Sequence, residues 1–191
     1  MVEPIVGGQC DGSLMTTPAA HAFDFIHGRW TVHNRKLRDV TDSSCQEWVE
    51  FGATSEAFPV LHGVGHIDRM DVSEAPDGWP FEGLTLRLFD PADQVWRIWW
   101  SSSRAPGRVD PPLTGRFTDG LGVFHGDDAV GGRPVRLRFE WRADPASPRW
   151  RQEFSYDGGA TWTLNWVMTF TRTETAGGRG TASTSLASPE S

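Results

Sequence analysis

Tryptophans on segments of alternating polarity are the feature that most restricts how this chain can fold. The 191-residue sequence contains ten tryptophans and one tyrosine. They lie where apolar and polar residues alternate, a pattern typical of β-strands with one buried face. Each indole is large and stiff, and its N–H needs a partner when buried. The pattern therefore predicts a β-barrel whose interior is partly an aromatic-walled cavity. The tryptophans are Trp30, Trp48, Trp79, Trp96, Trp99, Trp100, Trp141, Trp150, Trp162 and Trp166.

Strand signals run through residues 21–173, with short turns and no long helix. The clearest is Pro134–Ala143, where Val135, Leu137, Phe139 and Trp141 share one face. Nine or ten antiparallel strands predict an all-β, calycin-like meandering barrel, because closure leaves no exposed edge. A β-sandwich is the alternative architecture. Residues 20–26 predict a helical turn or a short plug before the first strand.

Composition separates one domain from two tails. Residues 1–20 are rich in Gly, Thr, Pro and Ala and predict a flexible tail, and residues 174–191 predict a disordered one. Residues 21–173 form the predicted barrel domain. The two cysteines, Cys10 and Cys45, are not expected to form a disulfide, since one lies in the tail.

Charge and hydropathy exclude several partners. The net charge of −7 argues against nucleic acid, which is bound by clustered lysines and arginines. No apolar run approaches the ~20 residues of a membrane span. Residues 1–17 lack the basic and apolar regions of a secretory signal. We therefore expect no membrane partner and a cytoplasmic location.

The hairpin around Asp90 predicts which face of two strands is inside. If Asp90 pairs with Gln94, Leu84, Leu86 and Leu88 share a face with Trp96, Ile98 and Trp100. Arg87 then faces Arg97, and like charges directly opposed are unfavourable unless they are hydrated. The leucine–tryptophan face is therefore predicted to be interior. A slip of one residue would invert this assignment.

The segment Ser155–Trp162 matches the Asp-box of sialidase-type propeller blades. In such a turn Asp157 caps backbone amides and the glycines allow positive φ. A sialidase would need several copies on a longer chain, so the single copy predicts a structural turn.

Glu50 is the candidate acid or base. It shares a face with Trp48, and a carboxylate inside an aromatic cavity favours its neutral form, as proton transfer near neutral pH requires. The alternative places Val49 and Phe51 inside and leaves Glu50 in solvent. The sequence leaves both orientations open.

Histidines offer a metal or haem interpretation that the sequence does not favour. His62 and His66 have the spacing of a helical metal pair, but the two glycines between them favour a bend at the barrel rim. His27 and His33 flank Trp30 without the Gly-x-Trp-x-Gly-x-Gly signature of haem-binding barrels. Phosphate-binding glycine motifs are also missing. We therefore expect neither a metal nor a cofactor.

Three segments resemble a bacterial family of calycin-like small barrels. They are Phe23–Trp30, Leu86–Pro91 and Asp157–Trp162, the last followed by Asn165-Trp166. The family is similar in outline to lipocalins and fatty-acid-binding proteins, in which an early Gly-x-Trp, matched here by Gly28-Arg29-Trp30, closes the base. The resemblance covers residues 21–173 and implies a ligand cavity. Barrels of this type include cofactor-free cyclases, an analogy at the level of the fold.

These features together predict a cofactor-independent enzyme that cyclises or isomerises an apolar, polycyclic or polyketide-like molecule in secondary metabolism. Glu50 would act as acid or base, and His33 or His66 would orient or donate. The alternative is a non-catalytic carrier or sensor of the lipocalin type. A monomer or a homodimer is expected, with Trp79, Trp99 or Trp150 as the contact in a dimer. The residues predicted to bind the ligand are Trp48, Trp96, Trp100, Phe139, Trp141, Trp166 and Met168.

Overall fold

A computed structural model describes residues 17–173, which form ten strands and three short 3-10 turns. The strands are β1 (Gly28–Leu37), β2 (Trp48–Val60), β3 (Gly65–Val72), β4 (Phe81–Asp90), β5 (Val95–Ser102), β6 (Leu113–Thr118), β7 (Leu121–Val130), β8 (Arg133–Arg142), β9 (Arg149–Ser155) and β10 (Thr163–Arg172). The turns are Pro18–His21, Asp24–Ile26 and Leu61–Gly63. The prediction of a single all-β antiparallel barrel is confirmed.

The barrel closes between its first and last strands. Every strand pairs with its neighbours in the sequence, and β1 pairs with β10 from Trp30 opposite Arg172 to Lys36 opposite Trp166. This meander replaces the sandwich considered as an alternative. The shortest pairing joins β5 to β6 over three residue pairs. The loop of residues 103–112 continues along β5, with the Asp110 amide donating to the Trp100 carbonyl at 2.8 Å.

The alternation predicted for β8 is confirmed. Val135 and Trp141 are buried, while Arg136 and Arg142 on the opposite face are exposed. The same alternation places Trp30, Val32 and Asn34 of β1 inside the barrel.

The predicted register of the β4–β5 hairpin is wrong by one residue. Asp90 pairs with Val95, because Gln94 stays in the turn with a φ of 54°. Arg87 is therefore opposite Ile98 and points inward with only 3% of its surface exposed. Leu84, Leu86 and Leu88 lie on the outer face instead. The predicted inward direction of Trp96, Ile98 and Trp100 holds.

Gly83 makes room for one of the interior tryptophans. A Cβ atom at this position would lie 1.9 Å from a carbon of the Trp100 ring. The indole therefore packs directly over the β4 backbone, which only glycine permits.

Of the two orientations considered for β2, the observed one places Phe51 inside and leaves Glu50 in solvent. Phe51 and the buried Ala53 follow the inward phase, whereas Glu50 is exposed. Glu50 pairs across the strands with Arg35, which is also exposed. Both charged side chains remain in contact with water, since burying them would carry a large desolvation penalty.

The segment Pro18–Ile26, here called the plug, fills one end of the barrel. Phe23 is fully buried, with its ring edge-on to Phe117 at 4.9 Å between centroids. Two indoles hold the plug backbone: Trp96 Nε1 donates to the Ala19 carbonyl at 2.8 Å, and Trp30 Nε1 donates to the Ile26 carbonyl at 2.6 Å. The predicted turn or plug over residues 20–26 is thus present as two 3-10 turns.

The Asp-box segment forms a structural turn. Asp157 accepts hydrogen bonds from the Thr161 amide at 2.9 Å and from the Ser155 hydroxyl at 2.7 Å. These bonds, with one from the Thr161 hydroxyl, hold the pKa of Asp157 well below its usual range. Gly158 and Gly159 both have positive φ, as such a turn requires.

The predicted tails fall almost wholly outside the described residues, as does Cys10. Of the predicted N-terminal tail, residues 17–20 are described, and Ala20 is buried in the plug. Cys45 is a free thiol. No helix within residues 17–173 is long and apolar enough to span a membrane.

Candidate functional site

An interior cavity of about 90 Å³ lies between the walls of the barrel. This is several times the ~15 Å³ that one water molecule needs. Five of the seven predicted ligand-binding residues line it, and other apolar side chains, including Trp150, Ile98 and Leu137, extend its wall. The five are Trp100, Phe139, Trp141, Trp166 and Met168.

Arg87 places a cation against this aromatic cavity. Its Nη1 contacts the Asp68 carboxylate on β3, and both side chains are more than nine-tenths buried. The guanidinium carbon also lies 4.9 Å from the Phe23 ring centroid and 5.4 Å from that of Trp141. Its Nε is buried and has no hydrogen-bond partner within residues 17–173. A buried donor left unpaired costs about 1–3 kcal/mol, so the fold leaves this N–H unsatisfied at that cost.

Two buried hydrogen-bonded pairs contribute to another part of the wall. Gln152 Nε2 donates to Asn165 Oδ1 at 2.8 Å, and Trp166 Nε1 donates to Asn34 Oδ1 at 3.0 Å. Asn34 and Asn165 are both almost fully buried. The bond to Asn34 holds the Trp166 indole in one orientation, because rotating it would leave the indole N–H and a buried amide oxygen unpaired.

Asp110 lies at the rim of the interior cavity, in the loop before β6. Burial and the negative charge of Asp128 raise the pKa of the Asp110 carboxyl, while Arg108, 3.9 Å away, opposes the shift. A carboxyl group of raised pKa beside an apolar cavity is suited to proton transfer.

A second cavity, here called the mouth cavity, has a volume of about 210 Å³ and shares Trp100 and Trp166 with the first. Lys36 enters it with Nζ 4.2 Å from the centroid of the Trp166 ring. Burial and the charge of Arg104 lower the pKa of Lys36 to about 8, against the opposing charge of Asp77. Arg104 itself is held by both oxygens of Asp77 at 2.8 Å.

Three side chains in and beside the plug are of types that bind metal ions. Asp24, His27 and His66 place one oxygen or nitrogen each within 4.8 Å of one another. His27 Nε2 lies 2.6 Å from His66 Nδ1. Two nitrogens on one tetrahedral zinc would be about 3.3 Å apart, so the observed pair is hydrogen-bonded rather than arranged around an ion. His62 turns away in a 3-10 turn with a φ of 55°, as the rim-bend interpretation predicted.

Glu50 and His33, predicted to act as acid or base and to orient or donate, lie on the outer surface and do not line the interior cavity. His33 Nε2 is 3.3 Å from Glu50 Oε2, and each side chain is more than half exposed. Trp48 is also on the outer face, with the Arg35 guanidinium 4.3 Å from its ring. The opposite phase of β2 accounts for Glu50 and Trp48, and His33 lies on the face of β1 opposite the buried Val32 and Asn34.

Trp96 and His66 point inward but lie at the plugged end, away from the cavity lining. Both are almost fully buried, with their ring centroids 5.0 Å apart. Of the three tryptophans suggested as dimer contacts, Trp79 is 75% exposed. Trp150 is buried and lines the cavity, so it cannot act as a surface contact.

Sequence reasoning missed Arg87, Lys36, Gln152 and Asp110 as cavity residues. In β1, Lys36 follows Trp30, Val32 and Asn34 in the same alternation, so extending that pattern would have predicted that Lys36 faces inward. Arg87 was missed because the predicted register of the β4–β5 hairpin placed it on the outer face. Asp110 was missed because it lies in the loop before β6, where no alternation of polarity indicates which side chains face inward.

Comparisons with known proteins support the fold. No protein-family model matches the chain, and no curated protein matches its sequence. Among solved structures, the S-type phycobiliprotein lyase CPES from Guillardia theta superposes with a TM-score of 0.54. The match has 10% sequence identity and covers 88% of this chain and 99% of the lyase. The barrel architecture implied by the calycin-like resemblance is thereby supported.

Proposed function

We propose that this protein binds a small, uncharged, ring-containing molecule that carries an oxygen acceptor. The observation behind this proposal is the apolar, largely aromatic lining of the interior cavity, which includes Arg87, a buried residue whose Nε–H has no partner within residues 17–173. Aromatic walls favour a flat apolar body, and the donor fixes one polar end.

The charge of the site favours a neutral ligand group. Arg87 and Asp68 are buried together, so the pair carries no net charge, and the other charged lining residues, Asp110, Asp127 and Asp128, are acidic and disfavour an anion. An anion beside them would add an uncompensated charge in a poorly hydrated place. A carbonyl or hydroxyl oxygen would accept from Arg87 without that cost. The shared fold with a phycobiliprotein lyase supports the architecture, and the ligand class follows from the cavity itself.

A substitution that fills part of the interior cavity tests this proposal. The probe is 2-naphthol, an apolar ring system with one oxygen, and its binding is measured by titration calorimetry. Leu137→Phe adds bulk to the cavity wall, and Leu84→Phe makes the same change on the outer face of β4. We expect Leu137→Phe to weaken binding by about tenfold or more, about 1.4 kcal/mol, and Leu84→Phe to leave it unchanged. Equal affinity in all three proteins, or no binding to the wild type, would refute the proposal.

Cyclisation or isomerisation is the second candidate, and Asp110 is the observation that favours it. Its raised pKa and its place at the cavity rim are the properties of a general acid or base. The test incubates the protein with extracts of the native producer and follows small molecules by mass spectrometry. We expect an isomer of unchanged mass that is lost in Asp110→Asn and retained in Glu50→Gln. A bound compound recovered unchanged would leave the carrier or sensor function.

A further inference from the structure

Lys36 is the single lysine of the sequence, and its amine has no engaged partner. Within residues 17–173 it makes no ion pair or hydrogen bond, and its Nζ lies 4.2 Å from the centroid of the Trp166 ring. The other charged residues that line the mouth cavity are Arg38, Asp77 and Arg104. Arg104 occupies the Asp77 carboxylate, and Arg38 pairs with Glu47 at 2.7 Å. The amine therefore faces the cavity with its neighbouring charges already paired.

The surroundings of Lys36 also favour its neutral form. Burial and the nearby guanidinium of Arg104 lower its pKa to about 8. At pH 7.5 roughly a quarter of such amines are neutral, against roughly 0.1% for an ordinary lysine. Only the neutral amine is a nucleophile.

We propose that Lys36 forms a reversible imine with an aldehyde or ketone group of the bound molecule. This inference rests on the proposed function, since the apolar body of the ligand would lie in the interior cavity next to the mouth cavity. Trp100 and Trp166 line both cavities, so the two cavities are adjacent, and in this proposal the ligand passes these rings to bring its outer end to Lys36. The ligand would then have an oxygen acceptor at one end, for Arg87, and a carbonyl group at the other.

The reaction needs no oxidant or reductant. The lone pair of Nζ attacks the carbonyl carbon, and the carbonyl oxygen takes up a proton to give a carbinolamine. Nitrogen releases one proton as oxygen takes one up, so the carbinolamine is neutral. A second proton from the solvent then converts the hydroxyl to water, which leaves as the C=N bond forms, and the resulting iminium returns that proton to the solvent to give the imine. Hydrolysis by water reverses these steps and releases the ligand unchanged.

The experiment uses 6-hydroxy-2-naphthaldehyde, which adds an aldehyde to the 2-naphthol skeleton. The folded full-length protein is incubated with it, cyanoborohydride traps the imine, and peptide mapping locates the adduct. Because the chain has one lysine, the α-amino group is the other primary amine to follow. We expect Lys36 to be labelled at least tenfold faster than in the urea-unfolded chain, with a rate that is half-maximal near pH 8. Lys36→Arg, which keeps the charge, should lose this adduct.

The controls separate this inference from the proposed function. If 2-naphthol binds both the wild type and Lys36→Arg, but Lys36 is labelled no faster in the folded than in the unfolded chain, the imine proposal is wrong and the binding function stands. If Lys36 is labelled rapidly while 2-naphthol does not bind, the binding function is wrong. Glyoxylate, which lacks an apolar body, should label Lys36 no faster in the folded chain. Rapid labelling by glyoxylate would contradict a role for the aromatic walls.

Discussion

At the scale of single residues, Arg87 is the most consequential position. It lies on a strand whose alternation favoured leucines inside, yet the barrel buries its guanidinium and exposes Leu84 instead. The reason is a tertiary partner: Asp68 on β3 faces the same interior and neutralises it. Burying an ion pair in an apolar interior costs far less free energy than burying one of its charges without a partner.

This pairing predicts an asymmetric response to mutation. Arg87→Leu leaves the Asp68 carboxylate buried without a partner, so we expect the free energy of unfolding to fall by about 3–5 kcal/mol. The double variant Arg87→Leu/Asp68→Leu should recover much of that loss. Urea unfolding measures both.

An exposed pair provides the matched control. Arg29 and Glu56 are 2.9 Å apart on the outer surface, and Arg29→Leu should cost about 1 kcal/mol or less. If Arg87→Leu costs no more than the double variant, Asp68 does not need its arginine and this account of the site is wrong.

At the scale of elements, the plug joins the barrel through a titratable group. His66 on β3 is fully buried beside the plug, and its Nδ1 is hydrogen-bonded to His27, the residue that follows the plug. Burial, and then the charge of His27, lowers the pKa of His66 to about 3. Arg87 acts in the same direction, and Asp24 is 3.9 Å away on the exposed side.

This element predicts that stability falls with acid. The unfolded chain protonates His66 below about pH 6.5, whereas the folded protein resists protonation down to about pH 3. The unfolded state therefore binds more protons in this window, and stability drops as pH falls by up to ~1.4 kcal/mol per pH unit. Urea unfolding between pH 7 and pH 5, above the main titration of carboxylates, measures the slope. We expect His66→Gln to reduce it, with a remainder from His27 and His125, whose pKa values burial also lowers, and the exposed His33→Gln to retain it; a slope that His66→Gln leaves unchanged would contradict this role.

At the scale of the whole molecule, closure of the barrel turns local alternation into a three-dimensional site. Residues far apart in sequence, such as Lys36 on β1 and Trp100 on β5, meet because consecutive strands curve until β10 reaches β1. Trp166 lies opposite Lys36 across that closing pair, and it lines both cavities. The candidate site therefore exists only in the closed barrel.

The sequence by itself determined the class of fold and much of the cavity wall. Period-two alternation, turn residues and the number of tryptophans predicted an antiparallel barrel of nine or ten strands, a plug before β1, and inward positions for Phe139, Trp141 and Trp166. These features are local, since alternation within one strand follows from the pleat of its own backbone.

Only the tertiary structure decided which charged residues are inside. One residue in the β4–β5 turn placed Arg87 in the interior, and the opposite phase of β2 placed Glu50 in solvent. The free-energy difference between the two faces of a strand depends on the partners that neighbouring strands supply, and here Asp68 made burial of Arg87 possible. Those partners are set by register across the whole sheet, which no single segment of the sequence encodes.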